Sequence, residues 1–250
     1  MMFYRPDGTE IDKDSFLSLY SGDYFISKTT VSVVPRLSRC SEYIERTIET
    51  IRIDGIGCER DVARLLAWKI GKIKHRESED SQRFIYSSDW KNADSLEGVK
   101  LYNKDFDIGK IASYITNHRQ ELERLAENNP QDFLNRINEQ KFERIGTVYM
   151  ITLLYFLSHG KYPIYDRFAA MALNAIEGNM QPKYKEKIGI AYTEIPDKSS
   201  KLFPTVMSDG MKDYMEKILN IFGNDYQNNR RVDQALWVYG HLFTKQKSQT

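Results

Sequence analysis

FERIGTVYMITLLYFLSHGKYPIYDRFAAMALNAIE, residues 142–177, is the stretch on which the reading of this chain turns. Its centre, Val148-Tyr-Met-Ile-Thr-Leu-Leu-Tyr-Phe-Leu157, carries no charge and is apolar on nearly every side of a helix. A helix of that kind belongs in the middle of a domain. It is also shorter than the roughly 20 residues that cross a bilayer. A tight turn at Gly146 precedes it, and Gly160-Lys-Tyr-Pro163 bends the chain behind it. Asp166 then stands where an aspartate caps a helix, here one running through Phe168, Met171, Ala172 and Ile176.

Helical periodicity continues outward on both sides. Asp14 is placed to cap a short helix with Phe16, Leu17 and Leu19, and Ser41 to cap one with Tyr43, Ile44, Ile48 and Ile51. Gly55 and Gly57 end the latter. Another begins near Glu59, with Val62, Leu65, Leu66, Lys69, Ile70 and Ile73 at helical spacing. The β-branched run Thr29–Val34 suits a short strand that Pro35 ends. Residues 76–106 lose the pattern and read as a long irregular insertion with short strand pieces at most. Asp107 caps a helix whose stripe is Ile108, Ile111, Ala112, Ile115, Leu122 and Leu125. Pro130 opens the next, where its missing donor costs nothing. Residues 178–205 read as loop, and two helices close the chain, with Met211, Tyr214 and Phe222, then Val232, Leu236 and Tyr239. The expected fold is mostly all-α: a bundle of eight or so helices with a few short strands at most. It forms one globular domain over 1–250 or two packed helical lobes, with 130–177 as the core.

Composition bounds the function classes. Hydrophobic residues at 41% and charged residues at 28% of 250 are ordinary globular usage, not disorder. Two cysteines, Cys40 and Cys58, make no disulfide framework, and the four dispersed histidines show no metal spacing. The opening residues lack the basic-then-apolar layout of a secretory signal, so a soluble cytoplasmic protein without cofactor or membrane partner is expected. A net charge of +1 does not advertise nucleic acid, although a neutral total can conceal a basic face. Local candidates are Lys69, Lys72, Lys74 and Arg76; Lys183, Lys185 and Lys187; and Arg230 with Arg231.

Two glycine-punctuated turns fit a helix-hairpin-helix, in which amides at the following helix start hold a phosphate. Ile53-Asp54-Gly55-Ile56-Gly57 is the better match on glycines alone. Phe142-Glu143-Arg144-Ile145-Gly146-Thr147 has the better downstream context, since the buried helix, the proline bend and Asp166 follow it. That order resembles the helix-hairpin-helix DNA glycosylase superfamily, and looks most like bacterial proteins of the 8-oxoguanine DNA glycosylase fold. Arg231-Val-Asp-Gln-Ala-Leu-Trp237-Val-Tyr-Gly240 also looks like their terminal helix. The similarity covers about 144–173 and 230–240, and Pro163-Ile-Tyr-Asp is one residue longer than the commonest spacing.

The resemblance implies a DNA partner held through Arg144, Gly146 and Thr147. It implies Asp166 as the carboxylate that faces the sugar, in one cleft with the Gly146 turn. It also implies a flipped base stacked among Tyr149, Tyr162, Tyr165 and Phe168. The superfamily's Schiff-base lysine is absent, because Val148 and Tyr149 occupy its place; Lys161, the nearest lysine, lies in the loop before Asp166 and is a second catalytic candidate, able to reach the same cavity from another direction. Three readings follow: a monofunctional DNA glycosylase-like protein using Asp166, a catalytically inactive DNA-binding relative, or an α-helical interaction or regulatory protein.

Overall fold

The computed structural model describes residues 1–25, 42–69, 73–78, 81–86, 108–142, 146–183, 188–190 and 209–245, and these carry eleven helices and six short strands. The mostly helical class expected from periodicity is therefore present. No helix among the described residues is long and apolar enough to cross a membrane.

An antiparallel pair, β1 (Phe3–Tyr4) and β2 (Glu10–Ile11), leads into α1 (Lys13–Asp23). Asp12 caps α1, not Asp14 as expected. One Asp12 oxygen accepts from the Ser15 amide at 2.7 Å and the other from the Ser15 hydroxyl at 3.0 Å. Helices α2 (Glu42–Asp54) and α3 (Glu59–Lys69) flank the Gly55–Gly57 turn, as the glycines predict. Helix α3 is described as far as Lys69, and Ile73 does not belong to its stripe. It opens β3 (Ile73–Ser78) instead, paired antiparallel with β4 (Ser81–Tyr86). The expected irregular insertion thus starts as a regular ribbon, favoured by the aromatic and β-branched Phe84, Ile85 and Tyr86. Residues 87–106, the Thr29–Val34 strand, and the caps assigned to Ser41 and Asp107 lie outside the described residues.

The single helix expected after 107 is two, α4 (Ile108–Asn117) and α5 (Arg119–Asn128). His118 divides them. Its backbone leaves the helical region, with φ of −111° and ψ of 18°, although the Tyr114 carbonyl still accepts from its amide at 3.0 Å and from its Nδ1–H at 2.9 Å. Then come α6 (Pro130–Glu139), with Pro130 at its start as expected, and α7 (Thr147–Leu157). The last elements are α8 (Arg167–Glu177), β5 (Gly189–Ile190), α9 (Asp209–Phe222), the single turn α10 (Asp225–Asn228), α11 (Arg231–Gly240) and β6 (Thr244–Lys245).

These elements form two units, each with its own core: residues 1–40, 163–195 and 207–250 in one, 41–162 and 196–206 in the other. The stretch 130–177, read as one core, is divided between them at 162/163. In the first unit α11 packs against both α1 and α8, around aromatic rings. Phe16 lies 5.2 Å and Tyr20 5.0 Å from Tyr239, ring centre to ring centre. The Tyr20 hydroxyl donates to the Tyr4 carbonyl at 2.8 Å. Burial pushes the pKa of Tyr20 and of Tyr239 far up, so both stay neutral donors. In the second unit α7 has α2, α3, α5 and α6 as neighbours and is buried from Met150 to Leu157. A helix enclosed by four others has no face to give to water, which explains its all-round apolar composition.

Candidate functional site

In the first unit, the Pro163–Asp166 bend delivers the chain into α8. Asp166 is the N-cap, as its position after the bend predicts. Its Oδ1 accepts from the Phe168 amide at 2.8 Å and its carbonyl from the Ala170 amide at 2.9 Å. The residue is half-buried, so its carboxyl group is neither sealed in the core nor fully in water. The bend is held from α9: the Tyr214 hydroxyl donates to the Ile164 carbonyl at 2.9 Å, and the Tyr165 ring meets the Tyr214 ring edge-on at 5.2 Å. Burial first, then the negative charges of Asp233 and Asp166, push the Tyr214 pKa well above the usual phenol range. Tyr214 is therefore a permanent hydroxyl donor to the bend.

Phe168 does not face an open pocket. Its ring stacks on His241 at 3.6 Å, and the Arg167 guanidinium lies 4.8 Å from its centre. His241 is followed by Trp237 at 4.3 Å, and Trp237 by Tyr24 at 5.3 Å. The His241 Nδ1 lies 2.7 Å from the Trp237 carbonyl. A carbonyl can only accept, so Nδ1 carries the hydrogen. Beneath this run the backbones of α8 and α11 touch at Gly240, where a Cβ would come within 1.9 Å of the Phe168 carbonyl oxygen. Only glycine fits. The α8–α9 cleft beside Tyr165 is small, and its polar end is filled by Lys217, bound to Asn174 at 2.7 Å, Asp213 at 2.9 Å and Glu177 at 3.3 Å.

In the second unit, Gly146 is the N-cap of α7, with φ of −82°, a conformation open to any residue. Its carbonyl accepts from the Tyr149 amide at 3.0 Å and the Met150 amide at 3.3 Å. Thr147 is buried, Tyr149 half-buried and Tyr162 buried. Arg144 lies outside the described residues. The Lys161 ammonium donates to the Glu127 carbonyl at 2.6 Å, at the end of α5, where a cation meets the negative end of a helix. It also lies 5.7 Å from the Tyr162 ring centre. Lys161 and Asp166, the two expected catalytic residues, belong to different units.

The other hairpin has different chemistry. Gly55 has φ of +82°, a backbone conformation that favours glycine, whereas the atom nearest to a Cβ there is the movable end of the Arg119 side chain. Asp61 Oδ2 accepts from the Gly57 amide at 2.9 Å and the Cys58 amide at 3.1 Å, while Oδ1 pairs with Arg64 at 3.4 Å. The amides that would hold a phosphate hold the protein's own carboxylate.

Of the basic candidates, Arg230 is buried and pairs with Asp233 at 2.9 Å, so it adds nothing to an exposed basic face. Arg231 and Lys183 are exposed. Lys72, Lys185 and Lys187 lie outside the described residues. Among the described residues no His, Cys, Asp or Glu side chains converge as a metal set would. Reading the sequence missed Tyr214, Arg167, Trp237, His241 and Gly240. Gly240 carried a signal, because glycine inside an apolar helix is costly unless another backbone approaches it. Comparison with known proteins finds no family model, no curated protein and no solved structure that matches the chain.

Proposed function

We propose that this chain is a DNA glycosylase-like protein that binds DNA and acts on a damaged or modified base through Asp166. One observation carries the reading. Asp166 is half-open to solvent at the head of α8, on a backbone locked by Tyr214 from one element and Gly240 from another. A carboxylate so fixed is preorganised for charge that develops beside it. In glycosidic hydrolysis the bond between base and sugar breaks, its electron pair leaves with the base, and positive charge grows on the sugar. Asp166 would face that charge and orient the water that adds to the sugar carbon. The water's proton passes to solvent or to the departing base. No lysine is required, in keeping with Val148 and Tyr149 at the head of α7. Arg167, exposed beside Asp166, suits a phosphate, and the amides at the start of α7 are of the kind that bind one.

A second reading, a DNA-binding relative without the chemistry, is favoured by one specific contact. Asp166 commits Oδ1 to the Phe168 amide, as a purely structural cap does.

The test is a panel of duplexes carrying common base lesions, scored for strand cleavage after alkali. The expected result is cleavage by the wild type, retained binding without cleavage by Asp166→Asn, and no adduct trapped by borohydride. Cleavage undiminished in Asp166→Asn overturns the catalytic role. Binding by both proteins without any cleavage selects the second reading.

A further inference from the structure

We propose that Arg167, backed by a row of rings, is a stacking platform for an unpaired nucleobase, and that this face takes single-stranded or locally unpaired nucleic acid in preference to intact duplex. The inference rests on the DNA-binding reading above, but not on any catalytic step of Asp166. Its residues all lie in the first unit.

Arg52, Arg64, Arg119, Arg136 and Arg230 each pair with a carboxylate, at 2.7 to 3.4 Å. Arg167 is arranged otherwise. It follows Asp166 directly in the chain, yet among the described residues it makes neither an ion pair nor a hydrogen bond. Its guanidinium lies over the Phe168 ring instead, 4.8 Å from the centre. The side chain is exposed, so core packing does not impose this place; the negative face of the ring attracts the cation. Behind Phe168 the rings continue. His241 is 3.6 Å away with planes 23° apart, Trp237 lies 4.3 Å from His241, and Tyr24 5.3 Å from Trp237. Phe168, His241 and Trp237 are half-buried and Tyr24 is buried. The row is thus anchored in the core at Tyr24 and ends in water at the guanidinium.

A guanidinium is planar and weakly hydrated, and it stacks on π systems as well as donating from its edges. With one side given to Phe168, its other side and its N–H edges have no partner among the described residues. A nucleotide uses both. The base stacks on the guanidinium plane, and a neighbouring phosphate accepts from the edges. A carboxylate from a protein partner would use the edges alone. Duplex DNA offers phosphates, but each of its bases is covered on both faces by its neighbours. The platform therefore selects bases that are already out of the stack. The Asp166 carboxylate is tied to the Phe168 amide at 2.8 Å, so the platform and the proposed reacting group are held by the same turn of chain.

The test uses the full chain and three probes of about 10 nucleotides, within the span of a single-strand site: oligothymidylate, the same backbone without bases, and a mixed-sequence duplex. Affinity is measured by fluorescence anisotropy at several salt concentrations. Oligothymidylate should bind at least about fivefold tighter than either the abasic strand or the duplex, which is what one stacked base contributes. Arg167→Lys keeps the charge but removes the plane. It should weaken oligothymidylate binding by about fivefold or more, while the abasic affinity and the salt slope stay as in the wild type. Arg167→Gln should lose the same affinity and also about 0.7 of the slope of log affinity against log salt. Phe168→Leu, which removes the backing ring, should behave as Arg167→Lys does; if it melts early, the exposed lysine variant decides the matter. Equal binding of oligothymidylate and the abasic strand, or wild-type affinities in Arg167→Lys, overturns the platform and leaves the DNA reading standing. A loss in Arg167→Lys that the abasic strand shares equally also overturns it, and assigns Arg167 to phosphate alone. No binding of any of the three probes by the wild type sinks both.

Discussion

Helices α3 and α8 both begin under an aspartate, yet the two carboxylates work in opposite directions. Asp166 stands ahead of α8 and reaches forward to the Phe168 amide at 2.8 Å. Asp61 is the third residue of α3 and reaches back, to the Gly57 and Cys58 amides at 2.9 and 3.1 Å. The hairpin with the better glycines is thus the one whose anion seat is filled from within. Glycine spacing reports where a backbone must turn; it does not report whether the amides beyond the turn are available. The residue that decides availability is the third of the following helix, where an acid can fold back in the manner of a capping box. In α7 that position is Tyr149, which has no carboxylate to offer. The start of α8 differs again, because it is fixed by packing as well as by a cap.

The strongest way to break this comparison is Gly240→Ala. The new methyl would sit 1.9 Å from the Phe168 carbonyl oxygen and 2.5 Å from its carbon, so the head of α8 or the end of α11 must move. Backbone has no rotamer to escape into. The expected loss is about 3 kcal/mol or more in urea denaturation, at the upper end of overpacking effects. Gly22→Ala in α1 is the matched control, since a Cβ there meets nothing within 4 Å. It should stabilise by up to about 1 kcal/mol, through helix propensity alone. Equal effects of the two substitutions would show that α8 is not held by close approach to α11.

The two aspartates come next in size. Asp61→Ala removes the partner of two amides and of Arg64, and should cost about 1 to 2 kcal/mol. Asp166→Ala should cost about 1 kcal/mol, whereas Asp166→Asn should stay within a few tenths, because asparagine caps as well as aspartate. Thermal melts of the three variants check this. A large loss in Asp166→Asn would mean that the charge itself is structural, and would weaken any claim that it is kept for chemistry.

The fold was legible wherever local rules and packing agree. The all-round apolar run in α7, Pro130 at a helix start and the break at Gly55 each follow from one residue type or one period. Reading failed where the backbone left the pattern or a period ended unannounced. His118 divides what looked like one stripe, and Ile73 lies in β3 although it keeps the spacing of α3. At the candidate site, Asp166 was visible because a cap after a proline bend is local. Tyr214, His241 and Trp237 were not, because they reach α8 from residues 48 to 75 positions later, across a distance that no periodicity spans.

The smallest effect concerns pH and a third aspartate. Asp12 resembles Asp166 in reaching forward from a cap, but it is wholly exposed and its neighbour Ser15 supplies both an amide and a hydroxyl. Those two donors, the amide first, hold the Asp12 pKa below the usual carboxylate range. A folded-state pKa lower than the unfolded one means that the cap contributes fully above the unfolded value. Its contribution is lost as pH falls through the folded value. Asp12→Asn keeps a hydrogen-bond acceptor with no proton to gain. The variant should therefore lose slightly less stability than the wild type between neutral pH and about pH 3, where aspartates titrate. Solvent screening keeps the difference small. Melting temperatures compared at the two pH values read it directly, and a wild type that weakens no faster than Asp12→Asn would show that α1 does not depend on a charged cap.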